Sequence, residues 1–422
     1  DFALVVYPSL HLFDGRGANR SWLQEIPEAM SKIVWNAWVE INPATAARLG
    51  IQEGDLLRLT SPQGSLELPA HIYDGVRPDT LAVPLGQGHT AYGRDAVGRG
   101  ANPLRLVAPG AEKLSGGRLW AGTRVRVEKL PVNRALVKTQ LHDRQEGRGF
   151  AQVIPLAELT HPKEHKEKHA LPMIYPEHEH KDYRWGMAID LNACVGCNAC
   201  IAACYAENNL PVVGEHEVSR GHHMAWIRLE RYYEPAGAGQ PTEAGRPDEA
   251  RFVPMLCQHC DNAPCEAVCP VYATYHNEEG LNVQVYNRCV GTRYCSNNCP
   301  YKVRRFNWFD WQWASPLDLQ LNPDVSVRSK GIMEKCTFCV QRIRGAKDHA
   351  KDEGRKVRDG EVTPACVQTC PAEALVFGNL LDPESRVSKL ARDPRGYQIL
   401  GELNTRPAIT YLKRVQRTEE SA

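Results

Sequence analysis

The first 130 residues alternate between short apolar runs and turn residues. Ser61-Pro-Gln-Gly64 and Asp74-Gly75 are turn signals that separate runs of strand length. The runs cover residues 39–41, 56–59, 65–68, 70–73, 81–83 and 123–127. Pro43–Leu49 is predicted to be one short helix, with Gly50 as its C-cap. So many short strands predict a β-barrel or a β-sandwich over residues 1–130.

The hydrophobic periodicity fades between residues 131 and 180, where we expect a linker. Residues 161–180 contain five of the 15 histidines, among lysines and glutamates. His161, His165 and His169 have the spacing of one helical face, so a metal site is one interpretation. The alternating charges and flanking prolines favour the other interpretation, a solvated linker.

Residues 181–412 are predicted to form a second domain of α+β type, followed by a polar tail over residues 413–422. The Pro/Gly-rich stretch 234–247 is expected to be a hairpin loop between strands near 224–233 and 251–256. No apolar run approaches 18 residues, so no transmembrane helix is predicted. Because the chain opens at Asp1 in an apolar stretch, we expect a removed leader or a piece of a longer chain. The 51 Lys and Arg balance 50 Asp and Glu, which gives no pull toward nucleic acid.

All 15 cysteines lie between Cys194 and Cys370, and their spacing predicts metal clusters rather than paired disulfides. They form four groups: Cys194-x2-Cys197-x2-Cys200-x3-Cys204, Cys257-x2-Cys260-x4-Cys265-x3-Cys269-Pro270, Cys289-x5-Cys295-x3-Cys299-Pro300 and Cys336-x2-Cys339-x26-Cys366-x3-Cys370-Pro371. The run C-x2-C-x2-C-x3-C-P is typical of bacterial two-cluster ferredoxins, in which the fourth cysteine binds the other cluster. Structural zinc, the alternative, usually takes two separated C-x2-C pairs. No C-x-x-C-H motif is present, so no covalent haem is predicted.

One position of the third group departs from the pattern. Thr292 stands where the full spacing would place a cysteine. A threonine hydroxyl is a poor ligand for cluster iron, so the three remaining thiolates predict a [3Fe–4S] cluster. A [4Fe–4S] cluster with water or a side-chain oxygen on its fourth iron is the alternative.

The stretch YKVRRFNWFDWQW follows Cys299 and combines Lys302, Arg304 and Arg305 with several large aromatic residues. Such a mixture is typical of a protein interface near a membrane surface. For each ring taken singly, packing as core around a cluster is an equally good interpretation.

Residues 181–412 resemble the four-cluster ferredoxin subunits of the molybdopterin oxidoreductase superfamily, such as those of polysulfide reductase, formate dehydrogenase and dimethyl sulfoxide reductase. The resemblance lies in AIDLNACVGCNACIAAC, PMLCQHCDNAPCEAVCP, CPYKVRRFNWF, KCTFCVQRI, PACVQTCPAEALVFG and RPAITYL. Tyr205 departs from it, because proline follows the last cysteine of the other groups. The resemblance implies three [4Fe–4S] clusters and one [3Fe–4S] cluster, with iron bound through cysteines alone.

The resemblance also implies which cysteines share a cluster. The first set is Cys194, Cys197, Cys200 and Cys370, and the second is Cys204, Cys336, Cys339 and Cys366. The third set is Cys257, Cys260, Cys265 and Cys299. The fourth set, for the [3Fe–4S] cluster, is Cys269, Cys289 and Cys295, with Thr292 in the vacant ligand position.

Residues 38–130 resemble the molybdopterin dinucleotide-binding β-barrel, a double-psi-like barrel of molybdoenzyme catalytic subunits. The resemblance lies in WVEINPATAARLGIQEGDLLRLTSPQGSLELPA and RPDTLAVPLGQGHTAYGR. In such enzymes residues around Gly86-Gln-Gly-His89 would approach the cofactor, but this chain lacks the larger domains that complete the site. A cofactor-free barrel ahead of a four-cluster ferredoxin is similar to the family of iron–sulfur subunits of bacterial alternative complex III. This resemblance implies no molybdopterin and no haem on the chain.

The same resemblance implies an electron-relay subunit of a membrane-bound quinol-oxidising respiratory complex, with no catalytic residues of its own. Electrons would pass from a quinol site on an NrfD-like membrane subunit, through the [3Fe–4S] and [4Fe–4S] clusters, toward multihaem and monohaem cytochrome c subunits. The implied location is the periplasmic side of the bacterial inner membrane, peripheral within the complex. An electron-transfer β subunit of an active molybdopterin oxidoreductase is one alternative, and a zinc-stapled binding protein is another.

Overall fold

The structure is a computed structural model that describes residues 1–120, 122–160, 176–234 and 249–416. These residues divide into two compact units. The first unit comprises Asp1–Leu141 and Val212–Gly221, and the other described residues from His142 onward form the second. The histidines of the predicted helical metal site, His161, His165 and His169, lie outside the described residues.

Six strands of the described part of the first unit close into a β-barrel. They are β1 (Phe2–Tyr7), β2 (Val39–Ile41), β3 (Asp55–Ser61), β4 (Gly64–Ile72), β5 (Thr80–Pro84) and β6 (Arg124–Asn133). Their order around the barrel is β1-β5-β2-β4-β3-β6. The β1–β5 and β2–β4 pairs are parallel, and the other neighbouring pairs are antiparallel. The predicted barrel is therefore confirmed, and the sandwich alternative is wrong.

Apolar and polar residues alternate along β3 and β4, so that the apolar side chains pack inside the barrel and the polar ones lie on its outer face. Leu57 lies opposite Leu68, and both side chains are buried in the apolar core. Between these core positions Arg58 lies opposite Glu67, and its Nη2 is 2.8 Å from Glu67 Oε1. Successive side chains of a strand point to opposite faces, so this register puts the leucines inside and the ion pair outside.

The helices of the first unit are short. They are α1 (Ser21–Glu25), α2 (Pro43–Leu49), a further helix over Glu215–Ser219 and a 3-10 turn over Pro103–Arg105. The predicted helix α2 begins where Asn42 Oδ1 accepts a hydrogen bond from the Ala44 N–H at 3.0 Å. It ends at Gly50, which takes the left-handed conformation of a C-cap.

The second unit is built from one small sheet, several strand pairs and short helices. The sheet has the strand order Leu375–Asn379, Trp185–Asp190, Ile409–Leu412 and Gly396–Tyr397. The pairs are Val153–Pro155 with Arg414–Gln416, Arg228–Glu234 with Glu249–Met255, Thr274–His276 with Asn282–Gln284, and Arg305–Phe306 with Met333–Glu334. The helices are Leu156–Thr160, Ala199–Glu207, Pro264–Ala267, Tyr294–Asn297, Val340–Asp352, Ala365–Gln368 and Arg386–Ala391, with 3-10 turns at Tyr286–Arg288, Leu317–Gln320 and Gly401–Leu403.

Two expectations about this unit meet the structure directly. The strands Arg228–Glu234 and Glu249–Met255 pair antiparallel, which confirms the hairpin, while residues 235–248 of its loop lie outside the described residues. In the described ranges, no helix has the length and apolar character needed to span a membrane.

Candidate iron–sulfur sites

Four loops of the second unit share one unusual backbone conformation. In each, the residue before the second motif position has a positive φ: 76° at Gly196, 45° at His259, 71° at Gly291 and 55° at Phe338. Those residues precede Cys197, Cys260, Thr292 and Cys339. A positive φ is uncommon outside glycine and costs conformational energy at His259 and Phe338. Strain of this kind is typical of functional sites, so we infer that these turns are kept for the site that they form.

The first and third groups share more than this turn. CVGCNAC and CVGTRYC differ at Thr292 but match in their glycine, and Asn198 and Arg293 both have a positive φ near 64°. A helix starts directly after each of these two residues, at Ala199 and at Tyr294. Thr292 therefore occupies the backbone position that corresponds to Cys197.

Short helices carry cysteines from two sets on one face. Cys200 and Cys204 lie four residues apart on the helix Ala199–Glu207, and therefore on the same helical face. Cys366 lies on the helix Ala365–Gln368, which packs against the first, and Cys370 follows two residues after the end of that helix. The helices Pro264–Ala267 and Tyr294–Asn297, which carry Cys265 and Cys295, pack against each other in the same manner.

Thiols of the first set lie close enough to influence one another. Burial raises the pKa of the Cys200 thiol, and the nearby Cys194, Cys197 and Cys370 thiolates raise that pKa further. Clustered thiols of this kind gain little from ionising alone, but a soft metal cluster would neutralise their charge and displace their protons.

The second and third sets show the same pattern. Burial raises the pKa of Cys204, and Cys336, Cys339 and Cys366 add to the rise. Burial likewise raises the pKa of Cys260, with further rises from Cys257, Cys265 and Cys299. The four thiols of the third set also line one cavity, together with Pro264, Tyr301, Val303 and Arg304. Each set is thus a group of converging soft donors, which suits a cubane cluster.

The fourth set contacts the backbone and the helices that surround it. Cys289 accepts a hydrogen bond from the Met333 N–H at 3.3 Å, and Cys269 accepts one from Ala273 N–H at 3.1 Å. Cys295 lies on the helix that packs against the helix of Cys265, and Thr292 is exposed on the preceding loop. A Cβ atom at Gly291 would come within 2.4 Å of the Gly331 carbonyl oxygen, so the loop is closely packed there.

Neighbouring sets are joined by direct contacts. The His259 ring, in the third-set loop, stacks on Phe338 of the second-set loop with 4.0 Å between centroids. The thiol of Cys336 in the second set has its pKa raised to about 12, mainly by burial and also by Cys257 of the third set. The helices that carry Cys200, Cys204 and Cys366 pack together, as do those that carry Cys265 and Cys295, so the first set neighbours the second, the second neighbours the third and the third neighbours the fourth.

Exposure differs between the ends of this series and its middle. Every cysteine of the second and third sets is buried, whereas the first set has Cys194, Cys197 and Cys370 partly exposed. Cys269 and Cys289 of the fourth set are also partly exposed. Apolar side chains are exposed to solvent next to the first and the fourth set. Val195, beside the first set, is 65% exposed, and Val290, beside the fourth, is 64% exposed.

Several polar residues that the sequence did not single out reach the cysteines. Asn208 Nδ2 lies 3.6 Å from Cys204 Sγ, and Asn282 Nδ2 lies 3.7 Å from Cys265 Sγ. Backbone N–H groups donate to sulfur as well, from Ala374 to Cys370, from Phe338 to Cys336 and from Ala365 to Cys339. Of these three donors only Phe338 lies two positions beyond the cysteine that it contacts, so the spacing within one motif does not identify the other two.

The aromatic stretch after Cys299 is partly inside the fold. Arg304 is buried against Cys265, and Arg305 is partly buried with Nε donating to the Ala225 carbonyl at 3.0 Å. Trp308 stacks on His222 with 4.4 Å between centroids, whereas Phe309 remains 43% exposed. The sequence placed the arginines of this stretch at a protein interface. Arg304 is not available to a partner, because its side chain is buried against Cys265.

The glycine loop of the barrel is filled by the chain itself. A Cβ atom at Gly86 would lie 2.5 Å from Leu12 Cβ, and one at Gly88 would lie 2.2 Å from the Asn102 backbone nitrogen. Gln87 between them is buried, and its Nε2 donates to Gln24 Oε1 at 2.7 Å. These glycines are explained by close packing within the first unit, which does not need a dinucleotide.

Comparison with family models places a known domain in each unit. Residues 12–121 match the model described as "Molydopterin dinucleotide binding domain". Residues 193–273 and 249–315 each match a "4Fe-4S dicluster domain". In sequence order, the chain therefore carries a domain of the molybdopterin-binding type followed by iron–sulfur domains.

Curated relatives match about half of the chain and most of their own length. The menaquinone reductase iron–sulfur cluster-binding subunit of Nitratidesulfovibrio vulgaris is 43% identical over 235 residues, which cover 55% of this chain and 89% of the relative. A putative dimethyl sulfoxide reductase iron–sulfur subunit of Halobacterium salinarum is 37% identical, covering 54% and 78%. The Hdr-like menaquinol oxidoreductase iron–sulfur subunit 1 of Archaeoglobus fulgidus is 34% identical, covering 56% and 86%.

Proposed function

Because the chain belongs to the family of iron–sulfur subunits that includes the menaquinone reductase subunit, we propose that it relays electrons in a quinol-oxidising membrane complex of the alternative complex III type. When bound, iron–sulfur clusters would supply one-electron transfer with little rearrangement. The single observation that carries the proposal is the series of four cysteine sets, with a buried middle and partly exposed ends. This arrangement suits a relay, because electrons enter and leave near the surface and the sites between them are shielded from water.

The proposed ligands are the four sets that the family resemblance implies. Three sets of four cysteines would each hold a [4Fe–4S] cluster, and Cys269, Cys289 and Cys295 would hold a [3Fe–4S] cluster. The shared positive-φ turn before Cys197 and Thr292 supports the fourth assignment, because it puts the threonine at the position of a ligand. The chain itself contributes shielding, N–H donors to sulfur and alignment of the sets, rather than acid–base groups.

The exposed ends suggest where partners would dock. Beside the fourth set, Tyr272, Val290 and Tyr294 form an apolar rim that suits an NrfD-like membrane subunit carrying the quinol site. Val195 marks the other end, where cytochrome c subunits would receive electrons. We propose a peripheral position on the periplasmic side of the membrane. The barrel would act as a scaffold without molybdopterin, which the filled loop at Gly86 and Gly88 supports.

The second candidate is the β subunit of an active molybdopterin oxidoreductase. The similarity to a dimethyl sulfoxide reductase iron–sulfur subunit favours it. The barrel fused to the same chain argues against it, because a β subunit normally leaves this domain to its catalytic partner.

Metal analysis and electron paramagnetic resonance of the complex, purified without oxygen, test the proposal. After the haem iron of the cytochrome c subunits is measured from their absorbance and subtracted, we expect about 15 iron atoms per chain from three four-iron clusters and one three-iron cluster, and no molybdenum. The oxidised complex should give the signal of a three-iron cluster. In a Thr292→Cys variant the iron should rise to about 16 and the signal should disappear, since a fourth thiolate completes the site.

A Ser296→Cys variant is the matched control. It adds a thiol to the helix Tyr294–Asn297, which follows Thr292, but not at the ligand position, so the three-iron signal should persist. A parent complex without that signal would refute the fourth assignment, and stoichiometric molybdenum would favour the second candidate. Zinc in place of iron and sulfide would refute the relay altogether.

A further inference from the structure

Arg304 lies in the wall of the cavity lined by the thiols of the third set. Arg304 is only 4% exposed, and its Nη1 lies 3.3 Å from Cys265 Sγ. Arg304 therefore brings a positive charge into hydrogen-bonding distance of a proposed cluster ligand, at a place where water cannot screen it.

Two neutral amides hold this guanidinium in place. Arg304 Nη1 donates to Asn282 Oδ1 at 3.1 Å, and Nη2 donates to Gln284 Oε1. Asn282 and Gln284 are two residues apart on the strand Asn282–Gln284, so their side chains share one face. The strand is itself fixed, since the Asn282 N–H donates to His259 Nδ1 at 3.1 Å. Amide oxygens orient an arginine without cancelling its charge.

Arg304 lies where the third and fourth sets meet. Its Nη1 contacts Cys265 on the helix Pro264–Ala267, and this helix packs against the helix Tyr294–Asn297, which carries Cys295. Cys265 belongs to the third set and Cys295 to the fourth, so Arg304 stands at the junction between them.

We propose that Arg304 is a positioning residue that raises the reduction potential of the third site and thereby sets the energy step between the third and fourth sites. The inference rests on the proposed relay and deepens it. Adding one electron to the site adds one negative charge, which the buried guanidinium and its N–H···S hydrogen bond stabilise. The fourth site should feel the charge less, because the hydrogen bond goes to Cys265.

Redox titration of the complex, followed by electron paramagnetic resonance, measures this effect. In Arg304→Gln, the equilibrium constant for reduction of the cluster at the third site should fall about tenfold. This corresponds to a midpoint potential that is about 59 mV lower for a one-electron couple. In Arg304→Lys the charge remains, so most of the potential should be retained. The shift should persist at high salt, because the group is buried.

A second variant leaves Arg304 in place. Gln284→Glu keeps the hydrogen-bond acceptor and the side-chain size but puts a carboxylate against the guanidinium. It should lower the same midpoint potential, even if Arg304→Gln does not assemble its clusters. Arg355→Gln is the control, since Arg355 pairs with Glu353 and Glu361 on the surface and should leave every potential unchanged.

The outcomes separate this inference from the proposed function. If the parent complex titrates as expected but Arg304→Gln and Gln284→Glu both keep the parent potentials, the role of Arg304 is refuted and the relay stands. If the Gln284→Glu complex assembles and its potential is unchanged, the inference likewise fails. If the parent has no titrating cluster, the relay itself is refuted.

Discussion

Replacing Glu334 with glutamine should strongly destabilise the second unit, because it leaves the Arg328 guanidinium buried without its counter-charge. The two side chains are 1% and 0% exposed, and Arg328 Nη2 lies 2.7 Å from Glu334 Oε2. Trp226 Nε1 donates to the same carboxylate oxygen at 2.9 Å, and Asn307 donates to the other oxygen. Glu334 directly precedes Lys335 and Cys336, so this network fixes the strand that leads into the second cysteine set.

The expected size follows from the burial of the pair. Two unit charges about 4 Å apart attract by about 4 kcal/mol at an effective dielectric constant of about 20. Removing one partner of a buried pair costs about 3–5 kcal/mol, because the other charge stays desolvated and unpaired. For a unit of this size we expect the melting temperature to fall by about 6–20 °C. An Arg328→Met/Glu334→Gln double variant should recover much of the loss, since it removes the orphaned charge as well.

Loss of the iron–sulfur absorbance on heating at one fixed scan rate is a suitable assay, because it reports on the second unit and not on the barrel. Glu361→Gln is the matched control. Arg355 Nη2 lies 2.8 Å from Glu361 Oε1, but this pair is on the surface and should matter much less. Equal falls in Glu334→Gln and Glu361→Gln would show that burial is not what makes the Arg328 pair important.

Two further predictions concern the barrel. Burial would raise the pKa of Glu53, but hydrogen bonds from His71 and Lys138 lower it to about 2, below its ordinary 4.5. The stabilisation by this carboxylate is therefore complete above pH 4.5 and is lost as the pH falls toward about 2, so melting curves of Glu53→Gln should lack that acid-dependent part. Asn42→Ala removes the cap of α2 and the hydrogen bond from Asn42 Nδ2 to the Val76 carbonyl at 2.8 Å, and it should cost about 1 kcal/mol or more, which is at least about 2–4 °C. Asn42→Asp keeps the cap acceptor but loses the Nδ2 donor, so it should recover only part of that loss. A parent-like Asn42→Ala would mean that the cap does not support the barrel.

Local patterns in the sequence were sufficient for much of the barrel. The alternation in residues 56–59 and 65–68 identified β3 and β4, and the Gly50 cap located the end of α2. Residues 65–68 and 70–73 were expected as two runs separated at Pro69, but the structure has one strand, Gly64–Ile72. Proline removes one N–H, and β2 pairs only with Ala70–Ile72, so Pro69 lies just outside that ladder.

Pairing between distant segments was beyond local patterns. β1 joins the barrel because Ala3 pairs with Thr80, far along the chain, and no short turn in the sequence connects these two strands. The arginines after Cys299 show the same limit within the candidate site. Sequence gives Lys302, Arg304 and Arg305 equal weight. Arg304 alone of these three donates to Cys265 in the described structure, and it is held there by Asn282, a residue 22 positions away in the sequence on the strand Asn282–Gln284.

The uneven burial of the four sets has a consequence for control of the relay. A charge acts over a longer distance where water is excluded, so the buried Arg304 can bias the inner sets without help from other chains. The outer sets are partly exposed, and a partner that covers Val195 or Tyr294 would remove water from the cysteines beside it. Since solvent exposure is one determinant of cluster potential, docking should shift the potentials of the outer sites while the inner ones stay where this chain has put them.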